Sequence, residues 1–545
     1  MKDTEVGAFD ALVGEFYPVW FRYHSLEAVA SGVAGYDGDL PTAEDHALGA
    51  LAAWLEATIV GLEELDYYAL DEDRRLDVEI LFCACRHEHQ ALLEMDWRHR
   101  DPLRYLPFRA LCRLTATPWI AADKSVDRCL RELPSYLQQA QERLSAVPQL
   151  VPQVWLQAAR AEATTGTRFI QNLARSAVSE PHHKSAMDSL QAFDRFLQQA
   201  IPPATGGVAC GEVWFLQRLY FQHGLSGNPD ALHQLITRVY DTTLGELSQR
   251  SVVACGCPDP TQWLEQVEHD RGLEADAVAE FAAHENRRLH SFLNELGVFD
   301  LPSASTLDVR VDLTGCHRSC YLPPGPADSA PLGTLCLSSG IGENGTWDRE
   351  QLLDDCFVHG WLGTHLQAVA GQKSTVASSL VRRLNPSVTM TQGWQMYAEQ
   401  LVGERGYQSP PQQSLQRLLR RLRRIALALL DLEVHVNGLD LESARSRLAS
   451  LPGRVSSCQL ESDLLRLSRD PTAHLAAIVG WQLITELGQI VASSGRKTDE
   501  RLFHHSLLAQ GAVAVPRLIR RVYGNDVRQR VMASLGLADR ASGNR

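Results

Sequence analysis

Apolar side chains recur along most of the chain with the period of an amphipathic helix. Leu48, Leu51, Trp54, Leu55, Ile59, Leu62 and Leu65 follow i, i+3, i+4, i+7 spacing, which gathers them on one helical face. The stretches 125–145, 210–250, 260–296, 412–436 and 472–492 repeat the pattern. Clusters such as Pro202-Pro203 with Gly206-Gly207, and Pro323-Pro324-Gly325-Pro326, punctuate them. One segment departs from this period. Leu307-Asp308-Val309-Arg310-Val311-Asp312-Leu313 alternates apolar and charged residues, the mark of a half-buried strand. Leu332 to Ser338, with Leu335 and Leu337, supplies a candidate partner strand after a Pro-rich turn. The pattern therefore predicts a mainly α protein with a small β-element around 307–338. It divides into an N-terminal helical region, 1–205, and a second region, 206–545, that includes the β-element, the two running together as one continuous body.

Composition removes several classes of function. A hydrophobic fraction of 45% and a charged fraction of 22% are those of an ordinary folded protein. The formal charge is −14, from 66 acidic and 52 basic residues, so no basic footprint exists for nucleic acid or anionic lipid. No uninterrupted apolar run reaches about 18 residues, which argues against a membrane span. Met1 to Val6 lack a basic patch followed by an apolar stretch. The expectation is a cytoplasmic protein with reduced thiols and neither nucleic acid nor membrane as partner. Of the twelve cysteines, Cys83/Cys85, Cys255/Cys257 and Cys316/Cys320 are the close pairs, and none has the C-x-x-C spacing of zinc ribbons or redox motifs.

Candidate chemistry concentrates in Asp355-Cys356-Phe357-Val358-His359-Gly360-Trp361-Leu362-Gly363-Thr364-His365-Leu366-Gln367. His359 and His365 are six residues apart, about 240° around a straight helix, so they share no face. A zinc pair on a helix needs i, i+4 spacing, and only a break at Gly360 or Gly363 could unite these rings. Against that stands the plain alternative of a glycine-relaxed core helix with a buried structural histidine. Glu399 follows His365 by 34 residues, a reasonable separation for a third ligand on a second helix, although an isolated helical glutamate is ordinarily solvated or ion-paired. Other clusters are weaker. His87-Glu88-His89 near Cys83 and Cys85 offers no further ligand, and His182-His183 and His504-His505 read as surface or structural. The run Arg417, Arg420, Arg421, Arg423, Arg424 reads as the wet face of an amphipathic helix. Gly340, Gly342 and Gly345 make a G-x-G-x-x-G, but no second parallel strand follows to complete a dinucleotide-binding unit.

Five motifs in order carry a resemblance. V-H-G-W-L-G-T-H-L-Q at 358–367, G-W-Q-M-Y-A-E at 393–399, D-L-E-V-H at 431–435, P-T-A-H-L-A-A-I-V-G at 471–480 and F-H-H-S-L-L-A-Q-G at 503–511 resemble the bacterial domain-of-unknown-function 885 family. That family carries HE-x-x-PGHHLQ, GWALYAE, D-x-x-x-H, PGQALSYKIG and an FH…LL…G ending. W-R-H-R-D-P-L-R-Y-L at 97–106 extends the match to the N-terminal third. The resemblance implies a large helical, zincin-like body of the carboxypeptidase Taq type.

The departures from the family pattern bear on activity. Aligned on the shared G-x-H-L-Q, the family's metal-binding histidine falls on Val358, its catalytic glutamate on His359 and the first histidine of its HH pair on Thr364, while the second survives as His365. A register that matches His359 to the first histidine instead puts Gly360 where the glutamate belongs, and either way the family's general-base carboxylate is gone. Its Tyr-Lys falls on Ala477-Ile478. Metal-assisted hydrolysis needs ligands, an open position and a base for the bound water. Base and oxyanion groups each contribute roughly 10²–10⁴ in rate, so their joint loss points away from peptide cleavage. The leading expectation is a metal-independent enzyme acting on a small organic substrate by acid/base chemistry such as cyclisation, dehydration or isomerisation. His359 and His365 are its candidate acid/base groups, with Glu399, Asp431 and His435 around them and Trp361, Trp394 and Tyr397 lining the pocket. The first alternative is a zinc-dependent hydrolase of peptide-like substrates, with His359, His365 and Glu399 as ligands. The second is a non-catalytic binding protein on the same scaffold.

Overall fold

The computed structural model describes residues 2–537 except 34, 37, 118, 174–177, 200–204, 269–271, 304–305, 313–318, 326–331, 339–346, 408–410, 454 and 494–498. Gly340, Gly342 and Gly345, and Cys316 of the Cys316/Cys320 pair, lie outside the described residues. The rest is mainly helical, as the periodicity requires, with a few short strands. Two compact units result: Met1–Val78, Cys85–Gly207 and Ser305–Gly340 form the first, and Glu79–Ala84, Val208–Ala304 and Ile341–Arg545 the second.

In the first unit, helices Asp123–Ala146 and Glu180–Gln199 pack on each other. They bury Leu130, Leu133 and Leu137 together with Leu190, Phe193 and Leu197 in one apolar cluster. The β-element belongs to this unit, not to the region 206–545 expected from the sequence. The physical reason is local: Arg113 Nη2 donates to Tyr321 O at 3.4 Å and Trp119 Nε1 to Pro323 O at 3.0 Å.

Five strands are described: β1 (Gly272–Leu273), β2 (Leu307–Asp312), β3 (Cys320–Leu322), β4 (Gly333–Ser338) and β5 (Trp347–Asp348). The sheet order is β2-β4-β3. β2 and β4 are the two predicted strands, and they run parallel, from Leu307 opposite Gly333 to Asp312 opposite Ser338. β3, too short to show a period, runs antiparallel to β4. β1 and β5 form a separate two-stranded ladder in the second unit.

The second unit's candidate site is built from α1 (Ala275–Leu296), α2 (Arg349–His359), α3 (Thr364–Gln372), α4 (Val388–Glu404), α5 (Pro411–His435), α6 (Ser457–Arg469), α7 (Ala473–Ser493) and α8 (Glu500–Leu508). The predicted run 210–250 is two helices, Glu212–His223 and Pro229–Cys255. Gly224 ends the first at φ +62°, the left-handed C-cap that glycine favours. Leu247 of the second meets Leu415, Leu418, Leu419 and Leu422 of α5. α7 is long and apolar enough to cross a membrane by composition, yet Ala473 through Trp481 are all buried within the protein. Its closest neighbour is α4. A Cβ at Gly480 would stand 2.0 Å from Thr389 O, and one at Gly393 would stand 2.7 Å from the Gly480 carbonyl carbon. Two glycines therefore set the crossing of the helices that carry G-W-Q-M-Y-A-E and P-T-A-H-L-A-A-I-V-G.

Candidate functional site

The His-bearing segment breaks where the glycines stand. α2 closes at His359, Gly360 N–H completes the last turn on Cys356 O at 2.9 Å, and α3 begins at Thr364. A Cβ at Gly360 would lie 2.2 Å from Cys356 O, and one at Gly363 1.9 Å from Val358 O. Only glycine fits either place. Thr364, at the position of a lost family histidine, donates its hydroxyl to Val358 O at 3.1 Å and helps close the turn.

His359 and His365 stand on either side of this break. His365 turns into the core, edge-on to Trp361 with ring centroids 4.4 Å apart, and Trp361 meets His290 at 4.5 Å. Burial pushes the His365 imidazole down to about 3, with His290 adding to the shift. It is therefore neutral at neutral pH. Trp361 and Trp394 are 1% and 0% exposed, so they sit within packed protein and not along an open cleft. Trp394 Nε1 donates to Leu362 O at 3.0 Å, tying α4 to the turn after α2. Tyr397, half-buried, meets His504 Nε2 at 2.9 Å, and His504 Nδ1 meets Val298 O at 2.8 Å. A carbonyl can only accept, so Nδ1 carries the proton and Tyr397 donates to Nε2. His504 is fully buried, and of the predicted surface pair only His505 lies outside, beside Asp300.

Asp431 and His435 are brought together at the α5–α6–α7 junction. Asp431 Oδ1 accepts from Thr472 N–H at 3.0 Å and Oδ2 from Leu475 N–H at 3.1 Å, which caps α7 from a neighbouring helix. Burial raises the carboxyl to about 7, against the opposing pull of those two amides. His435 Nε2 donates to Leu467 O at 2.7 Å, and burial lowers its imidazole to about 4. Both side chains are 0% exposed, and their bonds go to the ends of α6 and α7. Thr472 has φ +76°, in the left-handed region that favours glycine, and the family's motif has glycine there. Thr472→Gly is accordingly expected to stabilise the protein by about 1 kcal/mol, measured as a rise in urea midpoint; an unchanged or lower midpoint would mean that the Thr472 side chain offsets its backbone strain.

The residues that the sequence reading passed over are the charged ones between α2, α4 and α5. None of the five arginines of α5 is on a wet face: Arg417 is buried and the others are half-buried. Arg417, Arg420, Arg421 and Arg424 follow i, i+3, i+4, i+7 spacing, so they share a face, and that face is packed. Arg420 Nε lies 3.2 Å from Asp354 Oδ1 and its Nη1 3.8 Å from Glu350. Arg424 reaches both Asp354 oxygens at 3.3 Å and Glu399 Oε2 at 3.7 Å. Arg423 meets Asp463 at 2.6 Å, and Arg421 covers the Trp481 ring at 5.2 Å. The Asp354 carboxyl would be raised by its own burial. The Arg424 and Arg420 guanidiniums outweigh this and hold it below the usual carboxylate range, with His359 contributing in the same direction. Glu399 is buried, and its Oε1 has no hydrogen-bond partner among the described residues.

Chemically, this cluster combines a proton carrier beside a fixed anion (His359 and Asp354), planar cations (Arg420 and Arg424) and a carboxylate oxygen able to accept (Glu399). Among the described residues no three His, Cys, Asp or Glu side chains converge closely enough to hold a metal ion. His359, His365 and Glu399 thus do not assemble as the zinc set. In the first unit, Glu88 of the His87-Glu88-His89 run accepts instead from His24 at 2.7 Å and Trp20 at 2.8 Å.

The comparisons agree with this architecture. Two solved structures superpose on nearly the whole chain. One, described as "the putative lipoprotein from Colwellia psychrerythraea", has a TM-score of 0.76 and 18% identity, covering 94% of this chain and 98% of that one. The other, described as "a putative lipoprotein of unknown function from Shewanella oneidensis", has a TM-score of 0.72 and 17% identity with the same coverage. At such identity they show the fold alone. No curated protein matches the chain. The family described as "Bacterial protein of unknown function (DUF885)" matches residues 26–522. The chain therefore belongs to the DUF885 family of bacterial proteins.

Proposed function

We propose that the chain is a metal-independent enzyme acting on a small organic anion, with the charged cluster of α2, α4 and α5 as its working site. Glu399 carries this reading. Its buried Oε1 has no hydrogen-bond partner among the described residues, and Arg424 stands 3.7 Å from the other oxygen, beyond hydrogen-bond reach. A buried carboxylate so placed is costly until a donor meets it, and a substrate N–H or O–H is such a donor. Arg424 would take a substrate carboxylate through parallel N–H···O bonds. His359, in the field of the ionised Asp354, would move the proton. Dehydration, cyclisation and isomerisation each include a proton transfer that such a set can carry out. His365, Asp431 and His435 would act at a distance, by holding the backbone around the site.

The test is direct binding of a panel of small carboxylates and their neutral amides by calorimetry, followed by turnover of any binder. Arg424→Lys, which keeps the charge and loses the fork, is expected to weaken carboxylate binding by about ten- to a hundredfold. His359→Asn should bind nearly as well as the parent and lose turnover by roughly 10²–10⁴. Equal binding of acids and amides would overturn the anion site; binding without turnover in the parent would leave a non-catalytic binding protein. Turnover that tracks a stoichiometric zinc and disappears with chelator would restore the hydrolase alternative. The description of both solved neighbours as "putative lipoprotein" favours an envelope location over the cytoplasmic one expected from the N-terminal residues and the cysteine spacing. Fractionation of cells producing the native chain, with washed membranes probed separately, decides between them.

A further inference from the structure

The first unit carries two thiols in direct register. β3 and β4 are antiparallel, Cys320 is the pairing partner of Cys336, and the two side chains are hydrogen-bonded. Directly opposed residues of antiparallel strands have Cα atoms about 4.5–5.5 Å apart, inside the roughly 4.4–6.8 Å that a disulfide spans. The register is firmly set. Tyr321, between the two faces, lies over Gly333, where a Cβ would stand 2.1 Å from the phenol oxygen. Outside the ladder, Arg113 and Trp119 hold the carbonyls of Tyr321 and Pro323. A slip of one residue would send Cys336 to the opposite face, and these contacts oppose it.

The two thiols differ. Cys336 is buried in the central strand and Cys320 is half-buried at the edge. The hydrogen bond with Cys320, together with burial, pushes the Cys336 thiol up, while Arg310, its partner on β2, opposes the shift weakly. Cys320 is therefore the sulfur that an external reagent meets first.

We propose that Cys320 and Cys336 form a redox-active pair that closes to a cross-strand disulfide on exchange with a low-molecular-weight disulfide. The Cys320 thiolate attacks one sulfur of the reagent and releases the other as a thiol. Cys336, as thiolate, then attacks the Cys320 sulfur and displaces the second reagent thiol. Two protein thiols lose two protons and two electrons, and one external disulfide becomes two thiols. The product staples a three-residue edge strand to the centre of its sheet.

The experiment uses the full chain, equilibrated in glutathione buffers of graded oxidised fraction, quenched with N-ethylmaleimide and mapped by peptide mass spectrometry. The expected result is a peptide linking Cys320 to Cys336 with loss of two alkylatable thiols, both abolished in Cys320→Ser and in Cys336→Ser. Far-ultraviolet circular dichroism confirms that the variants fold, and Cys320→Ser, at the more exposed site, serves if Cys336→Ser does not. Full alkylation of both residues in fully oxidised glutathione would overturn the proposal. So would a link from Cys320 to Cys316.

Discussion

Gly480→Ala is expected to cost about 3 kcal/mol or more, enough to leave little soluble protein. The reason is the crossing of α4 and α7. The added methyl would sit 2.0 Å from Thr389 O and 2.5 Å from Thr389 Cα, and these are backbone atoms that cannot swing aside. Relief requires the two helices to part. That would loosen Gly393 against Gly480 and open the packing around Trp394 and Ala477. Overpacked cores lose about 1–3 kcal/mol even when flexible side chains absorb the strain, and a backbone clash has no such outlet. The comparison is Gly245→Ala on the exposed face of helix Pro229–Cys255, where a Cβ meets nothing within 4 Å. There the helix propensity of alanine should add about 0.5–1 kcal/mol. Urea midpoints of the two variants moving in opposite directions would support the close crossing. Equal midpoints would show that α4 and α7 have room to spare.

The elements were legible where one face of a helix repeats over several turns, as in 125–145, 412–436 and 472–492. What a single period cannot show is which polar residues share a buried face. Arg417, Arg420, Arg421 and Arg424 have the spacing of an apolar stripe, and a run of arginines suggests solvent. Their carboxylate partners, Glu246, Glu350, Asp354 and Glu399, lie on three other helices, and nothing local announces them. The useful signal was present: four like charges on one helical face demand counter-charges or water. Gly360 and Gly363 marked where a break could fall, and the sequence left open whether one occurs. What makes it real is the backbone standing within 2.2 Å of a Cβ at either place, a contact with no signature in residue spacing. Asp431 and His435 entered the candidate site from the sequence alone, and their bonds to Thr472, Leu475 and Leu467, residues remote in the chain, could not be foreseen from it. The thiol pair needed β3, a strand of three residues that no periodicity could reveal.

Acidification from pH 6.5 to 4.5 is expected to remove roughly 3 kcal/mol of stability or more, a large share of the 5–15 kcal/mol typical of a folded chain. The folded protein holds His365 down to about 3 and His435 down to about 4, and holds His474 well below its ordinary value, each mainly by burial. In the unfolded chain these rings take protons near pH 6.5. Below that pH the unfolded state binds more protons than the folded one, so stability falls as pH falls. His365 and His435 each cost about 1.4 kcal/mol per pH unit through this window, and His474 acts in the same direction. Asp431 acts in the opposite sense. Its folded carboxyl titrates at about 7 and its unfolded one near 3.8, so acidification through that range favours the folded state by about 1.4 kcal/mol per unit. His365, His435, His474 and His504, all held down mainly by burial, outnumber the one opposing aspartate, so the net effect of acid on this group is destabilising. The measurement is the urea midpoint at constant ionic strength between pH 7 and 4.5, for the parent and for Asp431→Asn. Asparagine removes the opposing titration, so the variant's stability should fall more steeply with acid, by about 1.4 kcal/mol per pH unit, whatever its stability at pH 7. A midpoint that is flat, or that rises on acidification, would mean that these imidazoles are not held neutral by burial, and that the core around Trp361 and the α7 junction opens to water far more readily than its packing implies.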